Sequence, residues 1–530
     1  MASETLVPDV VHRDASASRR PLVAASALVG AFAVLALVFV FRGRLNADEG
    51  WYLYGGRLAW KGELPYKDFA FTQMPLTAYV YGLLQTISAS VFLGRLTSVL
   101  FAVGAVALSA RVAWREGGPT AGVTVALLCL AVPVGAYNLT IVKTYALSAF
   151  LLALVLAALT SPGRPSRTWT LATAAAFGLL LTRTTGLPVT VLVVGFCLLR
   201  APDRATRRNV AWATLAGAVL TVALPLTDPS AARYNLFTFH NLLWHGADGR
   251  TKVDEIVHTR LTDWLGDYPA YCALAAAAVV AVYASPKLRA YLRRRPGVAI
   301  VGAGIAGMLV AQLVGGEWAS VEYFTPVIPA LLAVTVVMLV QALRPESGWA
   351  TQRALAIGAG VAVAAVAVST LVHPGAGEYF AAPDDAGSVQ RADGVAHYLE
   401  ANTRDGDRVL TMWAQPSGLV SGREQVEGVT MGVFSYEELT TEQAHDYHFV
   451  NRELVRAMLR ARKPAAVVFT GVDDVAFHFT GSFSQVPADP REIYDELDAH
   501  YRLTRRSTTY GINGPTWVRI YLRDDRGPRR

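Results

Sequence analysis

The feature of this sequence that most constrains its fold is a series of apolar segments long enough to cross a lipid bilayer. The first runs from Pro21 to Phe41 without a charge, and about 20 apolar residues are enough to cross the hydrocarbon core. Further apolar segments lie at 95–114, 119–137, 141–160, 169–184, 187–201, 209–226, 268–285, 297–315, 320–341 and 354–372. The sequence therefore predicts an α-helical polytopic membrane protein with about 11 transmembrane helices.

Composition supports this fold class and excludes others. Of the 530 residues, 53% are hydrophobic and 17% are charged, a balance that does not fit an ordinary soluble enzyme. The three cysteines lie inside apolar segments, so the sequence predicts neither a disulfide framework nor a thiolate metal site. Residues 375–530 carry a net charge of −5, and the basic excess lies in the connectors between apolar segments. We therefore expect membrane lipids as partners and no nucleic acid.

The basic connectors also predict the topology. Connectors such as 164–167 and 287–295 are rich in arginine and lysine, which favours the cytoplasmic side of the membrane. They alternate correctly with a cytoplasmic N-terminus only if the segment from Met74 to Phe92 does not cross. We expect that segment to be a surface-lying or re-entrant helix of an acidic first outer loop, residues 42–93.

The predicted protein is a multi-pass plasma-membrane protein with three parts. Alternating helix and strand patterns after residue 375, with strands at 408–413, 465–470 and 516–522, indicate a separate α/β domain. With 11 spans this domain is extracytoplasmic. The predicted parts are a disordered cytoplasmic arm at 1–20, a transmembrane domain at 21–374 and an extracytoplasmic α/β domain at 375–530.

Two adjacent acids, Asp48 and Glu49, follow the first apolar segment almost directly. Carboxylates near the hydrocarbon boundary are unfavourable to place, so they mark a candidate functional site. A carboxylate can accept the proton of an attacking hydroxyl while the new bond forms. Spacing alone leaves a second interpretation open, in which Asp48 caps the following helix and Glu49 lies in its first turn.

The residues around this acid pair form a longer pattern. Tyr52 follows the acids, the segment Gly62–Asp68 reads Gly-Glu-Leu-Pro-Tyr-Lys-Asp, and Pro75 opens the next helix. This pattern, with many spans and an outer C-terminal domain, resembles the GT-C superfamily of membrane glycosyltransferases. Within it, the chain is similar to the family 39-like branch, which is related to protein O-mannosyltransferases and lipid A aminoarabinose transferases.

The resemblance implies a glycosyltransferase, hexosyl or pentosyl, that uses a polyprenyl-phosphate sugar donor and a glycan, protein or lipid acceptor. Sugar transfer to the acceptor hydroxyl would occur outside the cytoplasm with inversion. The implied roles are general base for Asp48, a second catalytic acid for Glu49 and substrate binding for Tyr52, Tyr66 and Asp68. Two departures concern specificity, because Trp51 replaces an arginine usual in the aminoarabinose branch, and Met74-Pro75 replaces a common Pro-Pro pair.

Three cations on predicted outer connectors or helix ends, Lys143, Arg183 and Arg233, are candidates for binding the donor phosphate. The alternative is that these long side chains only extend to the membrane interface. Glu322 precedes a Tyr-x-x-Pro pattern, where relatives often have a basic residue. This departure points to a different sugar or acceptor, although a solvated interfacial acid is the other interpretation.

No cofactor is certain from the sequence. His240 and His245 are five residues apart, which places them poorly on one helical face, and no carboxylate completes a site. These residues therefore argue against a metal site, and a divalent metal ion stays an open alternative. Two other function classes fit the sequence less well than an enzyme. A transporter or flippase would need polar residues at mid-membrane depth, and the central spans have almost none. A catalytically silent envelope-assembly partner would not need the acid pair.

Overall fold

A computed structural model describes residues 15–242, 256, 261–315, 321–343, 379–512 and 515–524. The described part of residues 15–343 is predominantly helical. Its α-helices are α1 (Ala15–Arg42), α2 (Ala47–Trp60), α3 (Leu76–Gln85), α4 (Val91–Gly117), α5 (Pro119–Leu130), α6 (Pro133–Asn138), α7 (Thr144–Leu159), α8 (Pro165–Thr182), α9 (Leu187–Leu199), α10 (Arg204–Ala223), α11 (Pro229–Arg233), α12 (Phe239–Leu242), α13 (Leu261–Asp267), α14 (Pro269–Ala284), α15 (Pro286–Arg294), α16 (Pro296–Gly315) and α17 (Ile328–Leu343). A π-helical turn covers Tyr234–Thr238, and 3-10 turns cover Thr184–Gly186, Pro225–Thr227 and Val321–Val327.

Among the described residues, four helices are long and apolar enough to cross a membrane: Arg20–Arg42, Val91–Gly117, Pro296–Val314 and Glu322–Leu343. A fifth span results if α14 and α15 count as one helix with a 96° bend. Shorter apolar helices occur at Pro119–Leu130, Thr144–Leu159 and Thr184–Leu199. The predicted number of 11 spans is therefore not confirmed. The predicted span 354–372 and residues 1–14 of the predicted arm lie outside the described residues, while α1 already begins at Ala15.

The predicted span 119–137 is not one continuous helix. Helix α5 ends at Leu130, and Val132 is extended with φ −119° and ψ 91° before α6 begins at Pro133. Proline cannot donate the helical hydrogen bond and clashes with the preceding turn, and it disfavours helical geometry in the residue before it. The proline therefore turns one predicted span into two shorter helices.

Helix α3 has ten residues, which corresponds to about 15 Å at the helical rise, half of the hydrocarbon thickness. It lies against α2, and a Cβ at Gly82 would collide with the carbonyl of Gly56. At ten residues α3 is too short to cross, as expected for the segment from Met74, and its location on the outer side of the membrane stays a prediction. Phe92, at the end of that predicted segment, belongs instead to α4.

Residues 379–524 form an α/β domain on a five-stranded sheet with the order β2-β1-β3-β5-β4. Strands β2, β1 and β3 are parallel, and β5 is antiparallel to β3 and β4. The strands are β1 (Arg408–Thr411), β2 (Glu424–Gln425), β3 (Ala466–Thr470), β4 (Tyr501–Tyr510) and β5 (Thr516–Arg523). The helices are α18 (Val389–Asn402), α19 (Gln415–Val420), α20 (Thr441–Tyr447), α21 (Arg452–Arg460), α22 (Gly471–Phe477) and α23 (Arg491–His500), with a 3-10 turn at Gly432–Ser435.

The three predicted strands correspond to β1, β3 and β5, and neither β2 nor β4 was predicted. Strand β2 has only two residues, and β4 exposes most of its residues, so its sequence lacks the apolar alternation that marks a half-buried strand. The predicted α/β character of the tail is thus present in the structure, with two additional edge strands.

The α/β domain packs directly on the end of α1 and on the loop that follows it. The backbone of Arg44 donates to the carbonyl of Tyr379 at 3.0 Å, and the rings of Phe39 and Phe380 stack at 4.5 Å between centroids. On the next helix, the hydroxyl of Tyr54 accepts a hydrogen bond from the backbone of Gln425 at 2.9 Å. Helix α2, which carries both acids, therefore lies in contact with the α/β domain.

Candidate active site

Helix α2 begins with a capping arrangement that orients both acids. Asn46 is extended, its side chain accepts from the backbone of Asp48 at 3.1 Å, and the Glu49 carboxylate accepts from the backbone of Asn46 at 2.9 Å. The two acids are therefore fixed in the first turn of the helix. Because successive side chains point in different directions around a helix, the two carboxylates reach different surroundings.

Glu49 points into a closed site, the Glu49–Arg95 pocket. Both side chains are fully buried, and the guanidinium of Arg95 binds the carboxylate through two hydrogen bonds of 2.7 Å. The backbone of Val142 adds a third hydrogen bond at 3.1 Å. The guanidinium of Arg95 also donates hydrogen bonds to backbone carbonyls at and just after the end of α1. These are the carbonyls of Phe39, Val40, Gly43 and Arg44. The pocket therefore joins α1, α2, α4 and the segment before α7.

Asp48 faces an open site, the Lys143 cluster of Asp48, Lys143 and Glu322. The ammonium of Lys143 lies 2.8 Å from Oδ2 of Asp48 and 2.6 Å from Oε1 of Glu322. The side chains of Asp48 and Glu322 are 23% and 19% exposed, whereas that of Lys143 is only 6% exposed. The indole of Trp51 donates to Oδ1 of Asp48 at 3.1 Å. Three chain segments that are distant in sequence thus meet at one partly exposed pair of carboxylates.

The charge of Lys143 is stabilised by these neighbours. The carboxylates of Asp48 and Glu322, at 2.8 and 2.6 Å, compensate the burial of its ammonium. Lys143 therefore stays protonated within the cluster.

Arg183 follows α8 and lies beside the cluster in a different setting. Its guanidinium donates to the hydroxyl of Thr144 at 2.7 Å and to the side-chain carbonyl of Gln312 at 2.8 Å. Within the part of the chain that the structure describes, no carboxylate pairs with it. The ring of Tyr145 lies 5.3 Å from Arg183 and 5.5 Å from Lys143. A buried guanidinium with neutral partners is suited to binding an anion.

Tyr52 lies one helical turn after Asp48 and is buried. Burial raises the pKa of its phenol well above the ordinary value, and the nearby charge of Asp48 raises it further, while Lys143 and Arg183 oppose the shift. Tyr52 is therefore a neutral phenol close to the charges of the Lys143 cluster.

Comparisons of whole folds agree with this architecture. No protein-family model matches the chain, and no curated protein matches its sequence. The crystal structure of ArnT from Cupriavidus metallidurans bound to undecaprenyl phosphate matches with a TM-score of 0.59 at 13% identity, covering 97% of this chain and 100% of that one. The apo oligosaccharyltransferase of Archaeoglobus fulgidus matches with a TM-score of 0.52 at 11% identity, covering 90% of this chain and 73% of that one. Both belong to the GT-C superfamily of membrane glycosyltransferases. This chain has the GT-C fold.

Within this GT-C fold, some predicted site residues lie away from the Lys143 cluster. Tyr66 is fully buried at a φ of 73°, and its hydroxyl donates to the carbonyl of Gln73 at 2.7 Å. Asp68 is exposed, and its carboxylate closes a turn by accepting from the backbone of Leu64 at 2.7 Å. Arg233 is exposed at the end of α11. No contact described for these three residues involves the Lys143 cluster.

Of the two histidines considered for a metal site, His240 and His245, the structure describes His240. Its ring is buried, Nε2 lies 2.7 Å from the carbonyl oxygen of Thr72, and burial lowers its pKa to about 4. His245 lies outside the described residues. Among the residues that the structure describes, no group of three or more histidine, cysteine or acidic side chains has the arrangement of a metal site.

The sequence did not identify several residues that build the GT-C site. Arg95 was the first residue of a predicted span, and only its charge beside an apolar run signalled a special role. Gln312 and Thr144, which hold Arg183, are single polar residues in or next to apolar helices. Isolated polar residues within long apolar segments were thus the available signal for this part of the site.

Proposed function

We propose that this chain is a membrane glycosyltransferase that moves a sugar from a polyprenyl-phosphate donor to an acceptor hydroxyl at the outer face of the plasma membrane. The observation that carries the proposal is the convergence of a partly exposed carboxylate, Asp48, with two cations, Lys143 and Arg183, in a GT-C fold. These are the groups that such a reaction needs, namely a base for the acceptor and positive charge for the leaving phosphate.

The donor would bind with its lipid tail in the bilayer and its phosphate against Arg183. Three neutral side chains, those of Thr144, Thr185 and Gln312, hold this guanidinium and leave its charge available. The structural likeness to ArnT bound to undecaprenyl phosphate supports a lipid phosphate as ligand. Tyr145 and Tyr323 flank the arginine at 5.3 and 5.5 Å and would limit the access of water to the phosphate.

Asp48 would act as the general base. Its carboxylate accepts the proton of the acceptor hydroxyl while the hydroxyl oxygen forms a bond to the anomeric carbon. The bond from that carbon to the phosphate oxygen breaks on the opposite face, so the configuration inverts and the lipid phosphate leaves. Glu49 takes no direct part in this step, because its carboxylate is buried and fully engaged by Arg95 and backbone donors. Its role is to position α2.

The acceptor would approach from the side of the α/β domain. This domain packs on α2 through Gln425 and Tyr54, so it borders the helix that carries the base. The acceptor class is a glycan, protein or lipid hydroxyl. Tyr52, which faces the cluster, is placed to contact the sugar or the acceptor.

The test uses purified protein in lipid nanodiscs with a panel of polyprenyl-phosphate sugars and candidate acceptors. Release of free lipid phosphate is followed by mass spectrometry for the wild type, for Asp48→Asn and for Glu424→Gln. Glu424 forms an ion pair with Lys61 of 2.6 Å, equal in length to the bridge between Lys143 and Glu322, and both of its partners are largely exposed. It is therefore a matched control for the loss of a carboxylate charge.

We expect release by the wild type and by Glu424→Gln, and almost none by Asp48→Asn. Equal release by Asp48→Asn in a correctly folded protein would reject Asp48 as the base. Absence of release by the wild type with every donor, while related enzymes turn over under the same conditions, would count against the proposed activity.

A further inference from the structure

The two cations of the site differ in how their charge is balanced. The ammonium of Lys143 is shared between two carboxylates, those of Asp48 and Glu322. The guanidinium of Arg183 has neutral hydrogen-bond partners. In this state Arg183 has charge available for a phosphate, and Lys143 does not.

Sugar transfer moves negative charge across this site. Before the step, Asp48 is a carboxylate and the donor phosphodiester carries a single negative charge. After it, Asp48 holds the proton of the acceptor hydroxyl and is neutral, while the released lipid phosphate is a monoester with nearly two negative charges. During the step, Asp48 therefore loses one negative charge and the phosphate of the leaving group gains one.

We propose that Lys143 follows this charge, so that its ammonium leaves Asp48 as Asp48 becomes protonated and pairs with the departing phosphate. Glu322 is a positioning residue that keeps the ammonium between the two anions. This inference rests on the proposed glycosyl transfer and adds a role that is specific to Lys143 and Glu322.

The geometry places Lys143 within reach of both anions. Lysine carries its charge on a flexible four-carbon stem, so a shift of a few ångströms is inexpensive. Lys143 and Arg183 lie 5.5 and 5.3 Å from the same ring, that of Tyr145. Arg183 also donates to the hydroxyl of Thr144, the residue directly after Lys143, so a phosphate bound by Arg183 would lie near Lys143. Glu322 lies 2.6 Å from the ammonium and holds it after Asp48 is neutralised.

Such a movement favours catalysis over ground-state binding. A cation that pairs with the phosphate only when charge develops there stabilises the transition state more than the bound donor. The structure thus separates two duties that a single arginine would combine. Arg183 binds the phosphate in both charge states, and Lys143 binds it after charge transfer.

The test measures equilibrium binding without a sugar or an acceptor. The probes are a polyprenyl monophosphate, which mimics the leaving group, and its methyl phosphodiester, which mimics the charge of the donor. Affinities are measured in nanodiscs for the wild type, Lys143→Met, Asp48→Asn and the double variant. Asp48→Asn imitates the protonated base, and Arg183→Gln is the comparison for a residue that binds both states.

We expect Lys143→Met alone to change the binding of either probe by less than about threefold, because the charged Asp48 still holds the ammonium in the wild type. In the Asp48→Asn background the same substitution should weaken monophosphate binding by about tenfold, the value of a charged hydrogen bond, and should leave diester binding within about threefold. Asp48→Asn should strengthen monophosphate binding by about tenfold because it releases Lys143, and the gain should vanish in the double variant. Arg183→Gln should weaken both probes equally. Since Lys143→Met leaves two carboxylates facing each other, Lys143→Met combined with Glu322→Gln preserves the net charge and serves as a second variant.

Equal weakening of both probes by the lysine variants would make Lys143 an ordinary phosphate ligand and overturn the proposal. A gain from Asp48→Asn that persists without Lys143 would also overturn it, because removal of a negative charge would then be the whole cause. Failure of the wild type to bind either probe would instead count against the proposed lipid-phosphate donor. The two levels of the argument are therefore tested separately.

Discussion

Glu49 is fully buried and its carboxylate is bound by Arg95 and two backbone N–H groups, whereas Asp48, the residue before it, keeps 23% of its side chain exposed. Both acids belong to the first turn of α2. The Glu49–Arg95 pocket is closed and joins helices, while the Lys143 cluster has two partly exposed carboxylates on one ammonium. A buried, fully hydrogen-bonded ion pair resists change, and a partly exposed one can exchange partners. Adjacent acids of the same charge can therefore serve structure and chemistry separately.

The largest expected effect is on activity and tests the chemical role assigned to Asp48. Asp48→Asn should reduce sugar transfer by about 10²–10⁴-fold, the usual contribution of a general base, without lowering the melting temperature. The measurements are initial rates of lipid phosphate release and thermal unfolding of the same preparation. A parallel loss of rate and stability would mean that Asp48, like Glu49, mainly stabilises the fold.

Glu49→Gln should lower the folding stability and so tests the structural role assigned to Glu49. Removing one partner of a buried ion pair leaves Arg95 without a counter-ion and should cost about 3–5 kcal/mol of folding stability. Thermal or denaturant unfolding measures this loss, and the turnover of the remaining folded molecules should stay close to that of the wild type. A stable Glu49→Gln protein without activity would contradict the division of roles.

Arg183→Gln should raise the KM for the donor by about 10–100-fold, because a hydrogen bond to a charged group contributes about 1.5–3 kcal/mol. The kcat should change by less than about threefold, since this contact forms in the ground state as well as in the transition state. Steady-state kinetics with varied donor separate the two constants. A fall of kcat at constant KM would reassign Arg183 to the transition state.

Trp51→Phe should have a smaller effect. It removes the indole hydrogen bond to Oδ1 of Asp48, 3.1 Å long, and keeps an aromatic ring in the stack with Tyr52. A single neutral donor to a partly exposed carboxylate contributes about 0.5–1.5 kcal/mol, so kcat should change by about 2- to 10-fold. Donor KM should stay constant, and a change confined to KM would mean that Trp51 contacts substrate.

The smallest expected effect comes from Glu424→Gln in the exposed pair with Lys61. Exposed ion pairs contribute about 0–1 kcal/mol, so thermal unfolding and turnover should both stay near the wild-type values. A strong loss of activity would show that the contact between the α/β domain and α2 controls the site.

Parts of the site could be predicted residue by residue from the sequence. Asp48 stood out because an acid beside a long apolar segment is unfavourable without a role, and Lys143 and Arg183 stood out as cations at the ends of such segments. The pairing of Lys143 with Glu322 spans 179 residues of sequence. No local pattern encodes it, and the departure to an acid at position 322 gained its physical reason only from this contact.

The boundaries of the helices show the same limit. Local chemistry explains why Pro133 divides a predicted span. A prediction from the length of the apolar segment alone missed this break. Strand β4 is polar along most of its length and forms because β5 offers backbone hydrogen bonds to it. Its position depends on a neighbouring strand and not on its own pattern.

By itself, the sequence determined that this chain is a helical membrane protein with an α/β tail and an acidic loop after its first apolar helix, because apolar length and charge position act locally along the chain. Only the tertiary structure decided which acid is closed off by Arg95 and which faces Lys143. Two neighbours on a helix differ in direction, and what each meets depends on segments far away in sequence. The environment of a charge, and with it the chemistry that the charge can perform, is a property of the packed structure.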